Sequence, residues 1–325
     1  MSFRWGIIGT GGIAAAFAED LKLAPDQSVV AVGSRSQTTA EQFASAHRVS
    51  RSYGTYEDLV SDSGIDAVYI ATPHPLHMKS ALLALEHSKP VLCEKPFAMS
   101  ASQTKLMMAK ASQKKLMLME AMWMRFLPHM SQIRAILAAG TIGEITTVQA
   151  DHGQWFKEDP NFRLFAPVLG GGALLDLGIY PVSFAHMVLG TPTNIIAKSD
   201  PAVTGVDAQT SMIFQYPTGA QAILTTTLRA ATPCRAVITG TLGWIEIDRT
   251  FYAPTAYRVI LRGGETIEYP NNYVGRGLRE EAIEFARCVQ SGLSESPILP
   301  MHETLAIMES MDEIRKQINL VYPAE

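Results

Sequence analysis

The chain has 325 residues, of which 47% are hydrophobic and 18% charged, and its net charge of −4 comes from 27 basic and 31 acidic residues. This length exceeds one ordinary hydrophobic core and predicts about two domains. The charge balance gives no electrostatic reason to expect a nucleic acid or a membrane as partner. Cys93, Cys234 and Cys288 lie far apart, which excludes a disulfide framework and a zinc motif and favours a reducing, cytoplasmic setting.

The apolar opening of the chain is interrupted by glycines at 6, 9, 11 and 12. No signal peptide or other targeting segment is therefore predicted, and no apolar run is expected to reach transmembrane length.

Apolar runs that favour buried strands alternate with amphipathic runs that favour helices over residues 1–122. The predicted strands cover 3–9, 28–33, 66–71, 90–93 and 116–119, and the predicted helices cover 14–23, 38–46, 79–87 and 102–113. Such alternation implies parallel pairing with right-handed crossovers. Residues 1–122 are therefore predicted to form a Rossmann domain, which has a doubly wound parallel sheet.

Residues 123–325 show a different pattern. The predicted elements are a helix over 129–139, a strand over 145–151, a helix from 172 to 189, period-two strands between 212 and 262, and helices near 278–289 and 305–318. This order predicts an α+β domain with a large, mostly antiparallel open sheet, one face of which is covered.

A glycine-rich loop, Gly9-Thr10-Gly11-Gly12-Ile13-Ala14, follows the first predicted strand and opens the first helix. It matches the pattern in which one glycine permits the turn, another lets the backbone approach a pyrophosphate, and a small residue packs the helix on the strand. Gly9, Gly11, Gly12 and Ile13 are therefore predicted to bind a dinucleotide.

The end of the second predicted strand indicates which dinucleotide is bound. Ser34 and Arg35 stand where an NAD-binding protein usually has an acidic residue, and the first acid afterwards is Glu41. Because a guanidinium offers a planar pair of donors to a phosphate, the pair favours NADP, although NAD use stays open. We therefore expect loss of the Arg35 side chain to weaken NADPH binding more than NADH binding.

Glu94-Lys95-Pro96 follows another buried strand, at the edge of the sheet where ligands bind in open α/β folds. A lysine next to a cationic nicotinamide has its pKa lowered and can exchange protons near neutral pH. By local sequence alone, a surface lysine paired with Glu94 is an equally good interpretation.

Together with the loop over residues 71–77 and the glycine loop, this motif resembles the Gfo/Idh/MocA oxidoreductase family over essentially the whole chain. The resemblance implies that Lys95 is catalytic and that its bond to Pro96 is cis. It also implies that Thr72, His74, His77 and Glu94 line the cofactor region.

Asp176 and Tyr180 are four residues apart in an apolar helix, which places them on one helix face. By sequence alone, a structural role for both is slightly favoured. The resemblance reverses this preference, since matching Asp and Tyr positions accompany the catalytic lysine in the family, although some branches have His instead of Tyr.

Trp123 and Arg125 follow the last strand of the first domain, where a packed hinge is the alternative interpretation. With Tyr180, this stretch is similar to the branch that includes dihydrodiol dehydrogenases, D-xylose dehydrogenases and glucose–fructose oxidoreductase. That similarity implies that Trp123 and Arg125 contact the cofactor. It also implies that residues 123–325 form the substrate-binding and oligomerisation domain and that the protein is a homodimer or a higher homo-oligomer.

We therefore expect reversible hydride transfer between nicotinamide C4 and a secondary alcohol of a sugar, polyol or cyclic diol, without a metal. Lys95 and Tyr180 would share the proton transfer, and Asp176 would orient the substrate. Candidate pocket residues are Trp155, Phe156, Phe162, Arg163 and Tyr273, whereas His129, His152, His186 and His302 are interpreted as structural or surface residues. A non-catalytic NADP-binding regulator and, more weakly, an S-adenosylmethionine-dependent methyltransferase are the alternative classes.

Overall fold

The computed structural model describes residues 2–323, which divide into two compact units. The first unit consists of Met1–Trp123 and Gly275–Leu305, and the second consists of Met124–Val274 and Ala306–Glu325. Residues 275–305 fall within the predicted second domain, 123–325, but belong to the same compact unit as the Rossmann sheet.

The first unit is built on a six-stranded parallel sheet with the order β3-β2-β1-β4-β5-β6. Its strands are β1 (Phe3–Ile8), β2 (Gln27–Gly33), β3 (Arg51–Tyr53), β4 (Ala67–Ile70), β5 (Val91–Glu94) and β6 (Leu118–Ala121). Its helices are α1 (Gly12–Leu21), α2 (Gln37–His47), α3 (Tyr56–Ser61), α4 (His77–Glu86), α5 (Ala101–Lys114) and, later in the chain, α8 (Leu278–Gln290). The strand order reverses between β1 and β4, which is where ligands bind in this kind of sheet.

Helix α8 joins the Rossmann unit through a buried carboxylate and an aromatic contact. Asp20, in α1, accepts hydrogen bonds from the backbone N–H groups of Arg276, Gly277 and Arg279 at 2.6–3.0 Å. A carboxylate is well placed there because the first N–H groups of a helix have no partner within the helix. Trp5 contacts Phe285 of α8 with ring centroids 5.2 Å apart, which buries α8 against the sheet.

The second unit is built on an eight-stranded sheet with the order β14-β13-β12-β11-β7-β10-β9-β8, in which only β7 and β10 are parallel neighbours among the described strands. Its strands are β7 (Ile145–Gly153), β8 (Asn194–Pro201), β9 (Asp207–Gln215), β10 (Gln221–Thr227), β11 (Ala236–Gly240), β12 (Gly243–Ile247), β13 (Tyr257–Leu261) and β14 (Thr266–Tyr269). The helices α6 (Pro128–Ala138) and α7 (Ile179–Leu189) belong to this unit, and α9 (Met301–Gln317) continues into it. The predicted fold class is confirmed.

The two faces of the second sheet differ in burial. Phe214 and Ala222 are cross-strand neighbours on the covered face, and both are fully buried. On the opposite face Ile196, Ile213 and Ile223 form a continuous row, since Ile213 pairs with Ile196 on one side and with Ile223 on the other. These isoleucines are 39–47% exposed, so the open face carries an apolar row.

Several elements differ from the sequence-based expectation. The structure adds β3, α3, β8, β11 and β14, of which all but β8 have six residues or fewer. The strand expected over 116–119 lies at Leu118–Ala121, since Leu116 and Met117 still belong to the turn after α5. The helix expected from 172 begins with a π-helical turn, Leu174–Gly178, before α7.

The segment Pro167–Leu189 is long and apolar enough, by composition, to cross a membrane, contrary to the expectation from sequence. However, 89% of its most apolar window is buried inside the protein, as is typical of a core helix.

Candidate active site

Gly9 fixes the turn that follows β1. Its φ of 110° lies in the left-handed region, which favours glycine. Its N–H donates to the Gly33 carbonyl at 3.0 Å, and a Cβ at this position would lie 2.7 Å from the Ala71 carbonyl oxygen. Any larger residue would therefore push the backbone that follows β4 away from the loop.

Gly11 and Gly12 have a different environment, because a Cβ on either residue would meet no protein atom within 4 Å. Within the described part of the chain no side chain caps α1, and the buried hydroxyl of Thr72 lacks a protein hydrogen-bond partner. Open backbone at the N-terminus of a helix fits a pyrophosphate. Together with the strand order, these residues fit a dinucleotide, and Ile13 is partly exposed on the first turn of α1.

Ser34 and Arg35 lie at the end of β2, next to the start of α2. The Ser34 N–H donates to the Tyr53 carbonyl at 3.0 Å, which holds the backbone, whereas the Arg35 side chain is exposed. Arg35 is close enough to Tyr56 for its charge to oppose the burial that raises the pKa of Tyr56. The end of this strand therefore carries an accessible cation, Arg35. Residues 34–40 contain no carboxylate.

Lys95 is half-buried directly after β5, and the Lys95–Pro96 peptide bond is cis, as the resemblance implied. The preceding residue, Glu94, is buried and accepts hydrogen bonds from the Tyr69 hydroxyl and from the Lys95 backbone N–H, the latter at 3.1 Å. Tyr69 is in turn stacked on Phe17 at 3.9 Å between ring centroids. The backbone that carries Lys95 is therefore anchored in the core.

Two more carboxyl groups are buried near Glu94. Glu120 in β6 accepts a hydrogen bond from the Thr304 hydroxyl at 3.2 Å. Glu281 in α8 is fully buried, and its burial, followed by the negative charges of Glu94 and Glu120, raises its pKa well above the ordinary value. Burial among other carboxyl groups therefore favours the protonated form of Glu281.

His77 holds two loops of this region together. Its ring nitrogens lie 2.9 Å from the carbonyl oxygens of Thr72 and Pro96, and its side chain is fully buried. Burial and, less strongly, the Lys95 charge lower its pKa, so the neutral ring donates to one of these carbonyls at a time. His74 is also buried, with its ring 5.7 Å from that of His77.

Trp123 and Arg125 share a short 3₁₀ turn. Arg125 is buried and donates to the carbonyl oxygen and the hydroxyl of Ser183 at 3.4–3.5 Å. Burial, with a smaller effect of the Arg125 charge, lowers the pKa of His186 to about 3. Arg125 therefore packs against α7, whereas its proposed cofactor contact stays a prediction.

Asp176 lies in the π-helical turn, and Tyr180 follows in the first turn of α7. Both side chains are buried. The Asp176 carboxylate accepts one hydrogen bond from each of the two terminal nitrogens of Arg163, both at 3.2 Å. π-Helical turns are rare and occur often at functional sites.

A buried carboxylate, Asp207, fixes the start of this helical segment. One of its oxygens accepts hydrogen bonds from the Leu174 N–H and the Thr210 hydroxyl, both at 2.8 Å. The other oxygen would lie 2.2 Å from a Cβ on Gly172, whose φ is 117°. Burial raises the pKa of Asp207 to about 7.

Tyr180 belongs to an aromatic cluster that the sequence did not reveal. Its ring centroid lies 4.6 Å from that of Tyr252 and 5.3 Å from that of His152, and the latter two rings are stacked at 4.1 Å. Gln154 Nε2 lies 3.0 Å from His152 Nε2 and 3.4 Å from the Tyr252 hydroxyl. His152 is therefore an internal neighbour of Tyr180, and no local motif marks either partner.

No group of three or more His, Cys, Asp or Glu side chains within residues 2–323 is arranged to hold a metal ion. Trp155 and Phe162 are exposed on the segment after β7, and Phe156 contacts Phe162 at 5.6 Å between ring centroids.

Two family models match the chain. Residues 3–122 match the oxidoreductase family with an NAD-binding Rossmann fold, and residues 130–246 match the GFO/IDH/MocA C-terminal domain. The chain belongs to the Gfo/Idh/MocA oxidoreductase family. The expected family and the nicotinamide cofactor class are confirmed, and the comparisons give no support to a non-catalytic regulator.

Curated relatives cover nearly the whole chain. It is 37% identical to trans-1,2-dihydrobenzene-1,2-diol dehydrogenase of Xenopus tropicalis, over 99% of this chain and 100% of that protein. It is also 37% identical to D-xylose 1-dehydrogenase (NADP(+)) of Hypocrea jecorina, over 99% of this chain and 93% of the relative. These relatives support the expected branch of the family.

Solved structures extend the comparison. The 3-ketoreductase KijD10 of Actinomadura kijaniata, in complex with NADP and TDP-benzene, has a TM-score of 0.87 and 27% identity, with 98% of each chain covered. An aldose–aldose oxidoreductase of Caulobacter crescentus has a TM-score of 0.89 at 23% identity, over 98% of each chain, and supports the fold alone.

We predict that Asp207→Asn changes how stability depends on pH. The folded state holds the Asp207 proton up to about pH 7, whereas an unfolded chain releases it near the ordinary aspartate pKa of 3.8. The contribution of Asp207 to stability is therefore complete below about pH 4 and is lost as the pH rises towards 7, on the order of 4 kcal/mol in total. The free energy of unfolding is measured with urea at pH 5 and pH 8. Relative to the wild type, the variant should be more stable at pH 8 than at pH 5.

Asn keeps a carbonyl oxygen for Leu174 and Thr210, so the variant is expected to fold. Thr210→Val serves as a control that removes one hydrogen bond without removing the titrating group. Parallel pH profiles for the wild type and Asp207→Asn would contradict the prediction.

Proposed function

We propose that this oxidoreductase transfers a hydride between nicotinamide C4 and a secondary alcohol or carbonyl of a sugar, polyol or cyclic diol. The observation that carries the proposal is Lys95, held by its buried neighbour Glu94 at the same sheet edge as the glycine loop. A lysine amine next to a dinucleotide site suits proton exchange with a hydroxyl group.

The substrate class is proposed from the relatives. Trans-dihydrodiols and D-xylose are the first candidates, since the similar proteins that are named for these substrates match the chain over almost its full length. The rings of Tyr180 and Tyr252 would provide a flat surface for a cyclic substrate, and the Asp176 carboxylate would accept hydrogen bonds from its hydroxyl groups.

NADP is the proposed physiological cofactor, with NAD as the alternative. Gly9, Gly11, Gly12 and Ile13 would hold the pyrophosphate, and Ser34 and Arg35 would hold the 2′-phosphate. We also propose cofactor contacts for the residues that the family resemblance brought forward: Thr72, His74, His77, Glu94, Lys95, Trp123 and Arg125. The cofactor supplies the redox chemistry by accepting or donating the hydride.

The protein side chains would transfer the proton and hold the substrate in position. Lys95 and Tyr180 would share the proton of the reacting hydroxyl, and Asp176 would orient the substrate. Groups that share a proton titrate together, so the proton is assigned to the two residues jointly.

We further propose that the protein is a cytoplasmic homodimer or higher oligomer without a nucleic-acid or membrane partner. The exposed row of Ile196, Ile213 and Ile223 supports an interface on the open sheet face. Three free, buried cysteines are consistent with a reducing compartment.

Lys95→Met should reduce kcat at least about 100-fold, because general acid–base catalysis contributes at least this much, and should raise the Kd for NADPH by a much smaller factor. Tyr180→Phe should act in the same direction. The assay follows reduced nicotinamide absorbance with NADP and a panel of trans-dihydrodiols, aldoses and polyols. Lys22→Met is the control, since Lys22 is exposed at the C-terminal end of α1. Near-normal turnover by Lys95→Met would contradict the assignment.

Arg35→Ala should raise the Kd for NADPH at least about tenfold, because a charge-assisted hydrogen bond to phosphate is worth about 1.5–3 kcal/mol. The Kd for NADH should change less than about threefold, since NADH lacks the 2′-phosphate. Fluorescence titration with both cofactors measures this, and Arg35→Lys should give an intermediate value. Equal losses for both cofactors would show that Arg35 does not select NADP.

Ile213→Glu should shift the mass measured by light scattering from at least twice the chain mass to the chain mass of 35.4 kDa. A carboxylate in the middle of the isoleucine row would have to be buried without a partner in the proposed interface. Leu106→Glu is the matched control, since Leu106 is an exposed apolar residue on α5 in the other unit. A monomeric wild type, or an unchanged variant, would overturn the proposed interface.

A further inference from the structure

Arg163 and Asp176 form a two-point ion pair in the second unit. The two terminal nitrogens of the guanidinium each lie 3.2 Å from a different oxygen of the carboxylate. Because the guanidinium is planar, two such contacts fix the rotation of the carboxylate as well as its position. A single lysine ammonium group would fix only the distance.

The backbone near Arg163 is held by the glycines that precede the π-helical turn. The Gly172 N–H donates to the Leu164 carbonyl at 2.8 Å, and the Gly171 N–H donates to the Ala166 carbonyl at 3.1 Å. A Cβ on Gly171 would lie 2.9 Å from the Arg163 carbonyl oxygen. The glycine run therefore lets the Arg163 segment pack directly against the backbone that leads into Asp176.

Stability does not account for this pair. The Arg163 side chain is 55% exposed, whereas that of Asp176 is only 9% exposed. An ion pair with a partner this exposed contributes little, typically about 0–1 kcal/mol, because water screens it. Orientation of the buried carboxylate is the effect that such a geometry can supply.

We propose that Arg163 is a positioning residue that sets the orientation of Asp176 for hydrogen bonding to the substrate hydroxyls. This inference rests on the proposed function, in which Asp176 contacts the substrate. With its rotation fixed by the guanidinium, the carboxylate would offer its two oxygens as hydrogen-bond acceptors in one defined orientation. Two such acceptors side by side suit adjacent hydroxyl groups of a diol or sugar.

The test is chemical rescue of Arg163→Ala. The variant should lose about 10- to 100-fold in kcat/KM, and its Kd for NADPH should stay within about twofold. Guanidinium at low millimolar concentration should restore activity severalfold, because the exposed Arg163 position is accessible from solvent. Sodium chloride at equal ionic strength should not restore activity. The Arg163→Lys variant should be less active than Arg163→Ala with added guanidinium.

Arg4→Ala is the matched control. Arg4 forms a similar two-point pair with Asp66, through contacts of 2.6 and 3.1 Å, at the start of β1 in the other unit. Its removal should leave kcat/KM unchanged within about twofold, with or without guanidinium.

A double-mutant cycle separates positioning from general structural damage. In an Asp176→Asn background, Arg163→Ala should cost less than about twofold, since its effect acts through the carboxylate. Losses that simply multiply, or an absence of guanidinium rescue in a folded variant, would overturn the proposal.

A crystal structure of Arg163→Ala without substrate provides a readout that does not depend on activity. The Asp176 carboxylate should leave its position in the variant, and an unmoved carboxylate would also contradict the proposal. If the wild type turned over no alcohol in the panel, the proposed function would fail, while this structural outcome would still decide whether Arg163 positions Asp176.

Discussion

The hydrogen bond from the Leu174 N–H to the buried Asp207 carboxylate determines where the catalytic candidates of the second unit lie. It forms only because Gly172 has no side chain, since a Cβ there would overlap with the second Asp207 oxygen. The bond holds the first turn of the helical segment, from which Asp176 and Tyr180 project two and six residues later. The bond requires a carboxyl group deep in the core, and burial keeps this group partly protonated near neutral pH.

The first unit positions its functional groups by a different physical means. Gly9, Thr72 and Lys95 all follow neighbouring parallel strands, so the sheet itself brings their backbones to one edge. Buried polar groups then fix the loops: Glu94 receives the Tyr69 hydroxyl, and His77 bridges two carbonyl groups. Position here follows from strand register, whereas in the second unit it follows from contacts between distant parts of the chain.

This difference explains how much of the site could be predicted. The glycine loop, Ser34-Arg35 and Glu94-Lys95-Pro96 are local motifs at strand ends, and a strand–turn–helix pattern is enough to locate them. Asp207 and Tyr252 lie 31 and 72 residues after Asp176 and Tyr180 respectively, in stretches without a motif. Only the tertiary fold brings these pairs together, so the pattern of one sequence cannot reveal them.

The fold was predicted to a similar extent and for similar reasons. Long periodic helices such as α5 and α8 can be predicted because many residues repeat the same pattern. β3 has only three residues and all are half-buried, so its strand conformation depends on pairing with β2. The π-helical turn at Asp176 also has no simple periodic signature, and its spacing was interpreted as an ordinary α-helix.

Residues 275–305 return to the Rossmann unit after the second unit has been built, so the chain changes unit after residues 123, 274 and 305. The nucleotide-binding unit is consequently not one continuous segment of the chain. A gene fragment that ends at residue 123 would leave Trp5 without Phe285 and Asp20 without the backbone N–H groups of α8. Recombination that exchanges this unit between relatives must therefore transfer two separate stretches of coding sequence. A change of cofactor preference by such an exchange would also replace part of the C-terminal region of the chain.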